Sequence, residues 1–92
     1  MNKEIENILS FLCSELKSVI EGVFYNDTTF NNELCVYVIV REHFNRFYEK
    51  ILLTEGKINQ TYKTPVTIHV WASQGRTIEK CRPPSTKQWV SK

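Results

Sequence analysis

Ninety-two residues with 41% hydrophobic content, including five Phe, four Tyr and two Trp, suffice for one compact core. The longest apolar run, Leu34 to Val40, is far short of the roughly 20 residues that span a bilayer, which argues against membrane insertion. The formal net charge of +2 is unevenly spread: residues 1–75 hold seven basic and nine acidic residues, whereas residues 76–92 hold five basic residues against Glu79 alone.

From Lys3 onward charged and apolar residues alternate, unlike a signal peptide, so a cytoplasmic protein is expected. The cysteines Cys13, Cys35 and Cys81 are odd in number and widely spaced, which suits neither a disulfide framework nor a zinc site. Cys13 and Cys35 read as small core hydrophobes, and Cys81 in the tail is free to be exposed. Its neighbours Lys80 and Arg82 supply positive charge but no thiolate-stabilising site.

Asn2 is placed to cap a first helix running to about Glu21, with Gly22 as its stop. At 100° per residue, Ile5, Ile8, Leu9, Leu12, Leu16, Val19 and Ile20 share one stripe, opposite Lys3, Asn7, Ser10, Ser14, Ser18 and Glu21. Phe11 falls outside the stripe, as a boundary residue or, less in keeping with the frequency of lone surface hydrophobes, a contact for another chain. Val23 to Tyr25 predicts a short strand, and Asn26-Asp27-Thr28-Thr29 has turn chemistry.

Leu34 to Val40 is unbroken and rich in β-branched residues, which predicts a central strand covered on both faces. Its period of two sets Val36, Val38 and Val40 against Cys35, Tyr37 and Ile39. A second helix follows from about His43, with Phe44, Phe47, Tyr48, Ile51, Leu52, Ile58 and Tyr62 in one stripe. Glu55 interrupts that stripe and Gly56 follows it: either the helix ends near Thr54, with a further turn from Lys57, or Glu55 points into a pocket, and the glycine favours the helix end. Pro65 opens a strand in which Val66, Ile68 and Val70 alternate with Thr67, His69 and Trp71.

The expected fold is α+β: a small two-layer sandwich with two helices on one face of a short three-stranded sheet, with a mixed sheet allowed. The element order is helix-strand-strand-helix-strand. Residues 1–72 form the domain, and residues 73–92, with Gly75, Pro83 and Pro84, form a basic and extended tail. With the valines beneath the helices, the other face presents Tyr37, Ile39, His69 and Trp71, a larger apolar surface than a monomer leaves wet. Its cover is the tail, through Ile78, Trp89 or Val90, or a protein partner or second copy, or nucleic acid. The predicted contact set is Tyr37, Ile39, His69, Trp71, Arg76, Lys80, Arg82 and Trp89.

Single-stranded nucleic acid is the alternative partner: Tyr37, His69 and Trp71 would stack on bases while Arg41, Arg76, Lys80 and Arg82 neutralise phosphates. The Gly-aromatic motif of an RNA-recognition sheet is missing from the sequence. Over residues 5–71 the order of elements resembles a minimal nucleotidyltransferase core. That family carries a Gly-Ser turn after its first strand and two carboxylates one residue apart on its second, where this chain has Tyr25-Asn26 and Glu33-Leu34-Cys35. One carboxylate does not clamp two metals. His43 beside Glu42, and His69 on the sheet, lack a sequence-visible acid or nucleophile. The expectation is a non-catalytic, cofactor-free binding module of regulatory, immunity or antitoxin-like type.

Overall fold

A computed structural model describes residues 3–26, 33–41 and 45–90, with the backbone alone at 45–47. The expected cap at Asn2, the turn residues Asp27 to Thr29, and His43 and Phe44 lie outside the described residues, as does the Phe47 side chain. The elements are α1 (Lys3–Glu15), β1 (Ile20–Asn26), β2 (Leu34–Val40), α2 (Asn45–Thr61), β3 (Val66–Ala72), a 3-10 turn (Ile78–Cys81) and β4 (Lys87–Trp89). Among the described residues no helix is long and apolar enough to cross a membrane.

The strands form one mixed sheet in the order β3-β2-β1-β4. β1 pairs antiparallel with β2 and with β4, and β2 pairs parallel with β3 along its whole length. The sheet thus has four strands, not three. Residues 73–90 are folded rather than extended, contributing the 3-10 turn and β4. Three residues, Lys87 to Trp89, are too few to show a period of two, so β4 is visible only through its pairing with Val23, Phe24 and Tyr25.

Helix α1 ends at Glu15, six residues before Glu21. The Leu16 N–H closes on Leu12 O, and Leu16 O accepts from both Val19 and Ile20 in a tight turn. Ile20 then opens β1 opposite Val40. Val19 and Ile20 still reach the core, but as turn and strand residues, because β-branched side chains lose little by leaving a helix for a ladder. Gly22 is therefore not a helix stop. It sits where the β1–β2 register shifts, and a Cβ there would stand 3.0 Å from Ile78 Cγ2, so its lack of a side chain lets the 3-10 turn approach.

Helix α2 runs through Gly56 without a break. A mid-helix glycine costs only about 1 kcal/mol relative to alanine, and Ile51, Thr54 and Ile58 are buried on either side of it. Glu55 is no interruption either. Its Oε2 accepts the Ile68 N–H at 2.7 Å, and one turn on, Asn59 accepts from Val66 N–H at 2.8 Å and donates to Val66 O at 3.0 Å. Two polar side chains of α2 thus serve backbone groups of β3 that β2 cannot reach, and blunt that edge of the sheet.

The main core lies between the helices and one sheet face: Ile5, Ile8, Leu9, Leu12 and Leu16 meet Val23, Tyr25, Val36, Val38, Val40, Ile51, Ile58 and Val66. Glu4 ties α1 to the α2–β3 connection, accepting the Thr64 hydroxyl and the Lys63 and Thr64 amides. The Thr64 hydroxyl, then the two amides and the Lys63 charge, hold its carboxyl below the ordinary value of 4.5 despite some opposing desolvation. Its contribution to stability is therefore complete above that value and is lost as the pH falls below it toward the lowered one.

In urea denaturation, Gly56→Ala should gain about 1 kcal/mol, since a methyl there meets nothing within 4 Å, while Glu55→Ala should lose about 1–2 kcal/mol by orphaning the Ile68 N–H. A loss at Gly56→Ala would mean that this helix surface is not open. Between pH 7 and pH 3, the gap between wild type and Glu4→Gln should close on acidification; a gap unchanged at pH 3 would show that the clamp does not act through its charge.

Candidate binding surface

The sheet face away from the helices is divided. Over β1 and the adjoining part of β2 the 3-10 turn forms a small second core, with Phe24 and Ile39 at 0% exposure against Cys81, and Tyr37 and Ile78 at its margin. The turn is fastened by backbone-directed contacts. Arg76 Nε and Nη2 donate to Ser73 O and Ala72 O, Arg82 Nε and Nη2 both donate to Thr86 O, and the Thr86 hydroxyl donates to Pro83 O. Gln74 and Gly75 precede it at φ 53° and 80°, with Arg76 N–H closing on Ser73 O; the second central position of such a turn favours glycine.

Over β2 and β3 the face is open. The register sets Tyr37 beside His69 and Ile39 beside Trp71. The Tyr37 and His69 rings stack at 4.9 Å with 19° between planes, and Trp71 stands edge-on to Tyr37 at 5.6 Å and 74°. Such contacts favour a defined ring arrangement by about 0.5–1.5 kcal/mol each, yet His69 is exposed and Trp71 retains 41% exposure. Odd-numbered positions on paired parallel strands place all three rings on one surface.

Flanking groups give this strip a polarity. At the start of β2 the Glu33 carboxylate accepts the Thr67 hydroxyl, which fixes it on the same face as His69 and Trp71. Past the other end, Arg41 is 84% exposed, with a loose 3.9 Å approach to Glu21, and Arg76 follows β3 at the same end. Glu33 was legible only as half of an absent carboxylate pair; its position on the strip depends on the Thr67 contact, which no local pattern encodes.

The other predicted contact residues separate. Ile39 lies under the 3-10 turn and offers no surface. Arg76 and Arg82 are exposed but direct their guanidinium groups to backbone carbonyls, and Arg82 also approaches Glu79 at 3.5 Å. Lys80 is exposed on the turn. Trp89, paired opposite Val23, projects to the helical side and meets Tyr25 edge-on at 6.4 Å. Its placement with the open-face residues is thus corrected: a short strand reverses direction after the tail has crossed the sheet.

Cys81, whose place in the tail left exposure open, is buried in the small core. Burial pushes the Cys13 thiol up, against a smaller opposing pull from the Trp89 indole N–H, which is itself buried without a hydrogen bond of ordinary geometry. Burial, then the Glu33 charge, raises the Cys35 thiol. Both therefore hold their protons at neutral pH. A shallow groove of about 530 Å³ between α1 and the β1–β4 edge is lined by Ser10, Cys13, Lys17, Glu21, Gln88 and Trp89 among others. Among the described residues no three or more His, Cys, Asp or Glu side chains gather as a metal-ligand group.

No protein-family model, no curated protein and no solved structure matches this chain.

The two tryptophans should report the division of the sheet directly. Acrylamide should quench the Trp89→Phe variant, whose emission comes from Trp71, several-fold more strongly than Trp71→Phe, whose emission comes from Trp89; equal quenching would mean that Trp71 is covered.

Proposed function

We propose that this chain is a small non-catalytic binding module whose open β2–β3 strip docks on a protein chain, either a different one or a second copy. The observation that carries the reading is the contrast on one sheet face. Phe24 and Ile39 are sealed by the chain's own 3-10 turn, while Tyr37, His69 and the 41%-exposed Trp71 beside them are held in mutual contact and left open. Rigid aromatic side chains already ordered in the free protein lose little entropy on docking, and Trp and Tyr are over-represented among residues that dominate protein interfaces.

The same geometry favours a protein over single-stranded nucleic acid. Phosphate neutralisation needs cations whose donors are available; Arg76 and Arg82 already bond to backbone carbonyls beside the strip, which leaves Arg41 and Lys80 of the four, and Glu33 adds negative charge at the strip's other end. The free cysteines support a cytoplasmic setting.

Quantitative retention of proteins from a lysate on immobilised wild type, Trp71→Ala and Lys87→Ala tests the reading. A bound protein should fall at least about tenfold on Trp71→Ala, a hot-spot-sized loss, and stay unchanged on Lys87→Ala, which alters a different part of the sheet. Equal losses on both variants, or retention of a single-stranded oligonucleotide that vanishes steeply with salt, would reject it.

A further inference from the structure

We infer that the strip's occupant is an extended, proline-bearing segment of a different protein, lying along β2 and β3 with an acidic residue at the Arg41 end. This rests on the reading of the strip as a protein-docking surface and names the chemistry of its partner.

Shape excludes the broader occupants. Phe24 pairs opposite Tyr37, and the 3-10 turn that covers Phe24 and Ile39 has Tyr37 and Ile78 at its margin. The turn therefore rises as a wall beside the middle ring of the strip. A flat surface, whether of a folded domain or of a second copy carrying the same wall, meets the turn before it reaches Tyr37 and His69. A single extended chain does not, since its backbone needs about 5 Å of width and the floor offers two strands, about 10 Å. From Glu33 to Arg41 that floor runs about 26 Å, an area of roughly 300 Å², well below the 800 Å² or so per partner of an interface between folded proteins. It suits a peptide of about eight residues.

The occupant's backbone conformation follows from what the sheet offers. β2 is bonded to β1 and to β3 along its two edges, and the outward groups of β3 at Val66 and Ile68 are taken by Asn59 and Glu55. A segment on this face lies over side chains and gains no ladder bonds. Polyproline II is the extended form that makes no internal bonds and keeps its backbone hydrated, and proline pre-sets it at low entropic cost.

The rings suit such a segment. Trp71 stands edge-on to Tyr37 at 5.6 Å and 74°, so the two ring planes form a corner. A pyrrolidine ring, apolar and rigid, fills a corner of this kind, as in other aromatic-lined grooves that take proline-rich peptides. The stacking of Tyr37 on His69 at 4.9 Å and 19° holds the corner in shape before anything binds. Trp71, 41% exposed, also brings an indole N–H donor for the peptide carbonyls, which polyproline II leaves without internal partners.

Charge gives the segment its acidic end. Arg41 follows β2, four residues or about 13 Å from Tyr37. Its side chain is 84% exposed with only a 3.9 Å approach to Glu21, so it can turn to a better carboxylate. Lys80 is exposed on the wall. Four polyproline II residues span about 12 Å, which brings an acidic side chain four positions from the seated proline within reach of Arg41. Glu33 at the far end opposes the reverse placement.

An NMR titration of the isotope-labelled full chain with a capped peptide of about seven prolines ending in glutamate, read at the indole N–H signals, tests this. The Trp71 signal, identified by its loss in Trp71→Phe, should move with a dissociation constant on the order of 100 µM, while the Trp89 signal stays in place. A glycine-serine peptide of the same length and the same last residue should bind at least about tenfold more weakly, because it has more freedom to lose. Exchanging the terminal glutamate for lysine should weaken binding about threefold, and Arg41→Glu should reverse that preference. Trp71→Ala should weaken binding about tenfold or more and Lys87→Ala should leave it unchanged.

A Trp71 signal that does not move at about 5 mM proline peptide overturns the inference and leaves the docking strip to the retention assay. Equal binding of the glycine-serine peptide overturns the proline, and an end preference that Arg41→Glu does not reverse overturns the acidic end. A wild-type dimer in sedimentation velocity at about 1 mM that Trp71→Ala abolishes makes a second copy the occupant, overturning the inference while keeping the strip. Circular dichroism identifies an unfolded variant; should Trp71→Ala lose its fold, the Trp71 signal of the wild type still locates the peptide.

Discussion

β2 is bonded along both edges and apolar on both faces, and the rest of the molecule answers the demand this creates. A strand in that position needs a covering layer above and below. Helices α1 and α2 provide one of them, enclosing Val36, Val38 and Val40. The second is far smaller, a four-residue 3-10 turn that covers Ile39 and Phe24 and then leaves the sheet for β4. Tyr37 lies at its margin, and His69 and Trp71 lie beyond it. The open aromatic strip is the portion of this apolar face that the 3-10 turn leaves uncovered.

The treatment of the sheet edges sharpens this. β3 is an edge strand, but α2 extends Glu55 and Asn59 to its outward backbone groups in place of a further strand. On the opposite side, β1 is closed over Val23 to Tyr25 by β4, anchored by Trp89 in the main core. Backbone pairing with other chains is thereby discouraged at one edge and partly occupied at the other, whereas side-chain packing on the open face is not. Polar residues that interrupt the apolar stripe of α2 and look like a helix end in one dimension act in three dimensions as a strand surrogate.

The strip combines ring contacts that fix its shape with charged groups at its two ends. Stacking and edge-on packing pre-organise Tyr37, His69 and Trp71, so little ordering remains to oppose binding. Glu33 and Arg41 stand equally far from the centre with opposite sign. Within the chain, Glu33 accepts from the Thr67 hydroxyl and Arg41 approaches Glu21.

Much of this was legible in the sequence, for a physical reason: alternation within β2 and β3 and the stripe of α1 are local periodicities set by backbone geometry, and they assign residues to faces without knowledge of the fold. Ile5 to Leu12, the three valines, and the shared side of Tyr37, His69 and Trp71 come from that alone. Where α1 ends, whether α2 survives Gly56, the existence of β4 and the side taken by Trp89 were decided only in the tertiary structure. At each of these points the local preference is worth about 1 kcal/mol or less, while pairing Ile20 with Val40, bonding Glu55 to Ile68 or seating Trp89 beside Tyr25 depends on residues distant in the chain. Weak local preferences yield to such contacts, and no local window of sequence contains them.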